Sequence, residues 1–192
     1  MTIGILIFSY LLGAIPNGLI FGKLIWHKDL RKFGSKNIGA TNAWRVIGAK
    51  AGILIFLLDF LKGEISVALA KGFCGDELIM VLAGLLAILG HTFSIFLQLR
   101  GGKGVATGLG AITLMMPEVT AIVFATWLVI FFVSRYVSLA SIIAAALTPI
   151  LAFAFDEPIE FVLFGLAAAV FIIIRHRENI SRLIKGKENR FK

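Results

Sequence analysis

The sequence predicts an all-α fold: a polytopic integral membrane protein with seven transmembrane helices, its N-terminus outside and its C-terminus cytoplasmic. Hydrophobic residues make up 59% of the 192 residues and charged residues only 16%, with a mean hydropathy of +0.96. Soluble domains average about 45–50% apolar residues and about 25% charged residues. Seven helices of about 20 residues use about 140 positions, so residues 1–192 are predicted to be a single transmembrane domain with no separate soluble catalytic part.

Seven apolar stretches justify the predicted helices in chain order. The first has no basic residue before it and no small-residue cleavage pattern, so it is predicted to be a retained helix, not a signal peptide. A kink is expected in it at Pro16-Asn17. The predicted spans are Ile3–Ile25, Ala51–Ala70, Leu78–Phe96, Val105–Met116, Val119–Val133, Leu139–Phe155 and Ile159–Ile174.

The fourth span is the shortest. As a helix from Gly104 to Met116 it rises only about 20 Å, less than the ~30 Å hydrocarbon core, so a re-entrant segment is the alternative. If all seven spans cross, 17 basic residues lie in the inner loops and tail and one lies outside. If the fourth turns back, nine lie on each side. The positive-inside rule therefore favours seven crossings.

The charge and cysteine content exclude several classes of protein. The formal net charge of +8 is interpreted as basic loops that face the cytoplasm and anionic membrane lipids, and no nucleic acid is expected as a partner. The single cysteine, Cys74, excludes an internal disulfide and a cysteine cluster for a metal. We expect no metal and no cofactor.

Three polar segments on the predicted cytoplasmic side differ from ordinary loops. They are residues 34–45, residues 90–104 and residues 176–182. The first is rich in Asn, Ser, Thr and Gly beside cations, which suits a small polyhydroxy or phosphorylated ligand, although a solvated basic loop has the same composition. Because all three adjoin helix ends on one membrane face, we expect them to share a site.

Gly101-Gly102-Lys103-Gly104 stands directly before the fourth span. Glycines let a backbone approach an anion, a helix start offers N–H groups, and lysine adds a positive charge. The segment therefore predicts a phosphate site, with a flexible glycine turn as the alternative. It is not a Walker A motif, because position 97 is Leu and no Ser or Thr follows Lys103, so no nucleotide is expected.

Four other ionisable residues each have a structural and a functional interpretation. His91 and His176 fit interfacial or capping histidines as well as functional ones. Asp59 and Lys62 lie in the second span, where an isolated charge costs roughly 2.5–3.5 kcal/mol. Their i, i+3 spacing predicts a pair on one helix face, which either orders the helix bundle or serves the site.

Four stretches carry a family resemblance: GSKNIGATNAWR, GHTFSIFLQLRGGKG, HRENISRLIKGKE and, in the second span, LDFLKG. They resemble the motifs of the bacterial membrane acyl-phosphate:glycerol-3-phosphate acyltransferases, the PlsY family, over essentially the whole chain. Ser94 departs from the pattern, which leads us to expect proline. The resemblance implies an enzyme that moves an acyl group from fatty acyl phosphate to the 1-hydroxyl of sn-glycerol 3-phosphate. The products are lysophosphatidic acid and phosphate, in the first acylation of phospholipid synthesis.

The same resemblance implies a location and partners. The expected location is the bacterial cytoplasmic (inner) membrane, with the active site on the cytoplasmic face. Glycerol 3-phosphate, fatty acyl phosphate, membrane lipids and an upstream enzyme that produces acyl phosphate are the expected partners. A transporter of an organic phosphate and a structural or lipid-anchoring membrane protein are the alternatives from other classes.

Residue roles follow from the resemblance as well. Ser35, His176 and Asn179 are expected to be catalytic, and Asp59 and Lys62 to give intramembrane support. Because the donor is already activated, direct attack is expected without an acyl-Ser35 intermediate, with the proton passing to His176 or to a substrate phosphate. Substrate-binding roles are expected for Asn37, Asn42, Arg45, His91, Gly101, Gly102, Lys103 and Gly104.

Overall fold

The computed structural model describes residues 1–191. Over that range it contains ten α-helices and two short 3-10 turns and no strand, which confirms the all-α prediction. The chain divides into two compact units, the first from Met1 to Ala111 and the second from Ile112 onward.

The first unit is a bundle in which α1 packs against α4 and α5, and α4 also packs against α5 and α3. α6 begins in this unit. Two 3-10 turns, Leu30–Lys32 and Ile95–Leu97, lie in its loops. The helices are α1 (Thr2–Ala14), α2 (Asn17–Trp26), α3 (Ala40–Val46), α4 (Ala49–Cys74), α5 (Glu77–Thr92) and α6 (Val105–Met115).

Glycines bring these helices into close contact, as small residues do in membrane bundles. A Cβ on Gly13 of α1 would overlap the main chain of Ala87 in α5, and one on Gly63 of α4 would overlap the main chain of Thr107 in α6. Any larger residue at either glycine would push the two helices apart.

The first predicted span is broken, and this confirms the predicted kink: α1 and α2 meet at 44°. A helix break leaves carbonyl groups without helical partners. Lys62 Nζ donates to Gly13 O at 3.2 Å and to Ile15 O, while Ser94 Oγ donates to Ala14 O at 2.5 Å. Buried side chains thus satisfy the backbone at the break, as hydrocarbon surroundings require.

The second unit stacks its helices in chain order, with α8 against α7 and α9, and α10 against both α8 and α9. α10 is bent by 60° from α9. Large apolar side chains such as Val133 and Phe153 are mostly exposed, as expected of a surface that faces lipid. The helices are α7 (Pro117–Ser134), α8 (Val137–Ala154), α9 (Ile159–Arg175) and α10 (Arg177–Ile184).

The helices account for only part of the seven predicted crossings. In residues 1–191, three segments are long and apolar enough to cross a membrane, and five are if the bent pairs α1–α2 and α9–α10 each form one span. α4 has 26 residues but carries Asp59, Lys62 and Glu64 close together, and α6 has only 11 residues. The three clear segments are Glu77–Leu97, Pro117–Ser134 and Val137–Ala154.

Candidate active site

The loop of the first motif, residues 34–45, is built around the side chain of Asn42, which is 2% exposed. Asn42 Oδ1 accepts a hydrogen bond from Ser35 N at 2.9 Å. Asn42 Nδ2 donates to the carbonyl oxygens of Leu30, Phe33 and Asn37 at 3.2, 3.1 and 2.7 Å. Because both ends of the amide are engaged by the backbone, Asn42 organises the loop, a role that the sequence did not separate from direct substrate contact.

This organised loop presents Ser35 and Arg45 at its surface. Both side chains are exposed, and Arg45 lies in the last turn of α3. Asn37 Oδ1 accepts from Gly39 N at 2.8 Å, a local turn that leads the chain into α3. A hydroxyl and a guanidinium on an ordered, exposed loop can bind a soluble anion.

The glycine loop folds back on the end of α5. Gly101 N donates to Thr92 O at 2.8 Å and Gly102 N donates to His91 O at 3.0 Å. A Cβ on Gly101 would overlap the His91 carbonyl, and a Cβ on Gly102 would overlap the His91 ring. Gly104 has a φ of +82°, which favours glycine. The glycines therefore serve packing and turn geometry, and two of their N–H groups are already used.

The start of α6 follows this loop directly. The first-turn N–H groups of a helix have no partners within the helix, and the positive end of the helix dipole lies there. Lys103 is half-buried and comes two residues before the first residue of α6. A lysine beside a helix start is an arrangement that suits an anion, and the phosphate site predicted from the sequence stays a prediction.

A buried polar cluster lies below this loop. Asp59 Oδ1 is 2.9 Å from Lys62 Nζ, so the pair predicted from the i, i+3 spacing is present. Asn17 Nδ2 donates to the same oxygen at 3.1 Å, and His91 Nδ1 lies 3.7 Å from it. All four side chains are buried. The analysis of the sequence named Asn17 only as part of the expected kink and did not predict its contact with Asp59.

His176 lies between α9 and α10 and is 3% exposed. His176 Nδ1 lies 2.8 Å from Ile172 O. A carbonyl oxygen only accepts, so Nδ1 carries a proton, and the neutral ring then has its lone pair on Nε2. The capping interpretation and the functional interpretation of His176 are therefore compatible.

Glu188 connects residues of the third motif, residues 176–188, to one another and to α8. It accepts hydrogen bonds from Ser138 Oγ, Asn179 Nδ2 and Arg182 Nε at 2.9, 2.7 and 2.7 Å. Burial acts to raise the pKa of the Glu188 carboxyl, but these hydrogen bonds outweigh it and hold the pKa below its ordinary value. The analysis of the sequence assigned no role to Glu188, although it is the last residue of the stretch HRENISRLIKGKE that carries the family resemblance.

The sequence-predicted residues fall into three groups, two in the first unit and one in the second. Each group lies in one stretch of chain or in one set of packed helices. The groups are Ser35, Asn37, Asn42 and Arg45; His91 and Gly101–Gly104 with Asp59 and Lys62; and His176 with Asn179.

Comparison with known proteins identifies the family. Residues 3–186 match the sequence profile described as glycerol-3-phosphate acyltransferase. The chain belongs to this family. A glycerol-3-phosphate acyltransferase of Fusobacterium nucleatum is 45% identical over 97% of this chain and 96% of its own length, and one of Aquifex aeolicus is 45% identical over 97% of each chain.

Solved structures agree with this assignment. The crystal structure of PlsY, an integral membrane glycerol 3-phosphate acyltransferase, in its glycerol 3-phosphate form has a TM-score of 0.95 at 44% identity, covering 100% of this chain and 96% of that one. The lysophosphatidic acid form has a TM-score of 0.92 at 42% identity, and the match covers 100% of this chain and 95% of that one. The family resemblance predicted from the motifs is thus confirmed.

Proposed function

We propose that this chain is a membrane glycerol-3-phosphate acyltransferase that uses fatty acyl phosphate as donor. It acylates the 1-hydroxyl of sn-glycerol 3-phosphate and releases lysophosphatidic acid and phosphate, the first acylation of phospholipid synthesis. The observation that carries this proposal is the similarity over the whole chain, at a TM-score of 0.95, to PlsY in its glycerol 3-phosphate form.

Charge and hydrogen-bonding capacity support the roles of the binding residues. Arg45 offers a planar fork that suits the phosphate of glycerol 3-phosphate. Asn37 shapes the loop that presents Ser35, whose hydroxyl hydrogen-bonds the glycerol or the reacting carbonyl. Lys103 and the start of α6 bind a phosphate group, and the glycines around Lys103 set the path of that loop.

The reaction needs little from the protein beyond positioning and charge neutralisation. The 1-hydroxyl oxygen attacks the acyl carbonyl carbon, the bond from that carbon to the phosphate oxygen breaks, and phosphate leaves with the electron pair. The hydroxyl proton passes to His176 Nε2 or to a substrate phosphate. Asn179, which Glu188 orients, hydrogen-bonds a substrate.

An assay with purified protein in lipid nanodiscs tests the reaction. Labelled glycerol 3-phosphate should become lysophosphatidic acid with acyl phosphate and stay unreacted with acyl-CoA. Lys103→Ala should lower kcat/KM by an amount that corresponds to about 3–4 kcal/mol. Turnover with acyl-CoA would contradict the proposed donor. Label accumulating inside proteoliposomes without a lipid product would identify a transporter instead.

Intact mass spectrometry tests the mechanism. Enzyme given acyl phosphate without glycerol 3-phosphate should keep its unmodified mass, because direct attack forms no acyl-enzyme. An acyl group mapped to Ser35 that then transfers to added glycerol 3-phosphate would make Ser35 a nucleophile.

The proposed topology has seven crossings of the bacterial inner membrane by one domain, with the N-terminus outside and the site on the cytoplasmic face. The bias of 17 basic residues inside to one outside supports it. In a Cys74→Ala background, cysteines at Glu118 and at Asp156 should both react with an impermeant thiol reagent from outside. Reaction at Glu118 but not at Asp156 would contradict seven crossings. The proposed reaction also requires an upstream enzyme that produces the acyl phosphate, and a site on the cytoplasmic face would receive this donor from the cytoplasm.

A further inference from the structure

A continuous path of buried contacts joins the break in the first span to the glycine loop. Lys62 binds carbonyl groups at the break and pairs with Asp59, and Asn17 at the start of α2 donates to the same carboxylate. His91 then faces Asp59 from α5. The carboxylate is 3% exposed and is surrounded by these three side chains, so its position is fixed from three helices.

His91 contacts Gly102 in two ways. Its main-chain oxygen accepts from Gly102 N at 3.0 Å. Its ring occupies the space that a Cβ at position 102 would need, and the nearest atoms to such a Cβ are Nε2, Cε1 and Cδ2 of the imidazole. The orientation of the His91 ring therefore sets how closely the glycine loop approaches α5.

Asp59 faces that ring from α4. His91 Nδ1 lies 3.7 Å from Asp59 Oδ1, on the opposite side of the imidazole from the nitrogen that faces Gly102. This separation is beyond hydrogen-bond distance, so the carboxylate acts on the imidazole through charge, an interaction that is strong between buried groups. The position of the Asp59 carboxylate in α4 therefore affects the backbone of the loop through the His91 ring.

We propose that Asp59 is a positioning residue that acts through the His91 ring on the Gly101–Gly104 loop, and so aligns Lys103 and the start of α6 with a substrate phosphate. His91 then influences the substrate through the loop, and not by the direct contact that the sequence suggested. The proposal rests on the phosphate site of the proposed function. Its structural part, the control of the loop by Asp59 and His91, is testable without turnover.

The first test replaces both charges together, so that no buried charge is left without its partner. In Asp59→Asn/Lys62→Gln, hydrogen exchange at the amides of Gly101 and Gly102 should become about tenfold faster, while exchange in the rest of α4 stays as in wild type. The KM for glycerol 3-phosphate, for acyl phosphate or for both should rise about 10- to 100-fold with a much smaller change in kcat. Glu64→Gln removes one charge from the same helix outside the cluster and should match wild type in both measurements.

The second test examines the contact between the ring and the loop. Gly102→Ala should weaken substrate binding because the new Cβ meets the His91 ring. His91→Ala removes the ring that the new Cβ would meet, and it also removes the contact of that ring with the wild-type loop. If the contact carries the effect, the double variant His91→Ala/Gly102→Ala should be no worse than His91→Ala alone, whereas independent roles would make the two losses multiply. His91→Gln, whose amide keeps the reach toward Gly102, should recover part of the wild-type KM.

The outcomes separate this proposal from the proposed function. Unchanged exchange at Gly101 and Gly102 in Asp59→Asn/Lys62→Gln would overturn the proposal, whether or not the protein makes a lipid product. Faster exchange throughout the first unit together with a parallel loss of kcat would also overturn it, because Asp59 would then be only structural. Faster exchange confined to the loop in a protein without acyltransferase activity would support the contact and refute the reaction.

Discussion

Asn42 in the first unit and Glu188 in the second each organise a polar segment that carries predicted site residues, but they do so by different physical means. Asn42 is a neutral amide whose partners are all main-chain groups. Glu188 is a buried carboxylate whose partners are three side chains, one of them the cation of Arg182. A neutral amide recognises a backbone path, whereas the carboxylate depends on its ionisation.

This difference teaches where each segment is vulnerable. The first-motif loop depends on the shape of one short stretch of chain, so the loss of Asn42 disorders the stretch itself. The third motif depends on a charge placed in the C-terminal tail, so it responds to acid and to single-partner changes. The predictions below test this contrast.

The largest effect is expected for Asn42→Ala. The change removes the partner of the Ser35 N–H and of the Asn37 carbonyl, whereas the other two loop carbonyls keep backbone donors. Each group that loses its hydrogen bond costs about 1–3 kcal/mol. The free energy of unfolding should fall by about 4 kcal/mol, and acyltransfer should be lost. Thermal unfolding and the labelled-substrate assay measure both. Asn42→Asp keeps the acceptor for Ser35 N but loses the donors, so it should be intermediate; wild-type stability of Asn42→Ala would contradict the role of Asn42.

A smaller effect is expected for Glu188→Gln. The change removes the charge but keeps the shape, and weakens the hydrogen bonds that orient Asn179, so unfolding should become easier by about 2 kcal/mol. Glu178 provides a matched control, because it lies 3.9 Å from the same Arg182 but its side chain is 79% exposed. Glu178→Gln should change stability by about 0–1 kcal/mol. Equal effects of the two variants would show that burial of the carboxylate does not matter.

The pH dependence of stability should distinguish the role of Glu188 from that of Asn42. Because the pKa of folded Glu188 is below its ordinary value of 4.5, its stabilisation is fully present above pH 4.5 and is lost as the pH falls through the lower folded value. The difference in melting temperature between wild type and Glu188→Gln should therefore shrink on acidification below pH 4.5. The difference between wild type and Asn42→Ala should stay constant, since an amide does not titrate. A parallel pH profile for the two variants would contradict this contrast.

The smallest effect is expected for Ser138→Ala. It removes one donor to Glu188 and leaves Asn179 and Arg182 in place. Stability should fall by about 1 kcal/mol, with nearly normal activity in the labelled-substrate assay. A loss as large as that of Glu188→Gln would mean that Ser138, not Arg182 or Asn179, is the main partner.

Most of the helical architecture was accessible from the sequence, since a membrane helix is a local run of apolar residues with polar ends. The kink near Pro16 and the Asp59–Lys62 pair are equally local, because they depend on one residue type and on the i, i+3 geometry of a helix. The number of crossings is less local. The 11-residue α6 is too short and α4 carries too many charges to count as spans by length and composition. The apolar sequence predicted the span in α4, and the charge bias favoured a crossing by α6.

The sequence by itself determined the family and the candidate site residues, because the candidates within each motif lie close together along the chain. Only the tertiary structure decided which residues hold them. Asn17 and Asp59 are 42 positions apart, and Ser138 and Glu188 are 50 apart. Nothing in a local pattern encodes such pairs. They form because helix packing brings buried polar groups together, and a polar group removed from water must find a partner wherever the fold provides one.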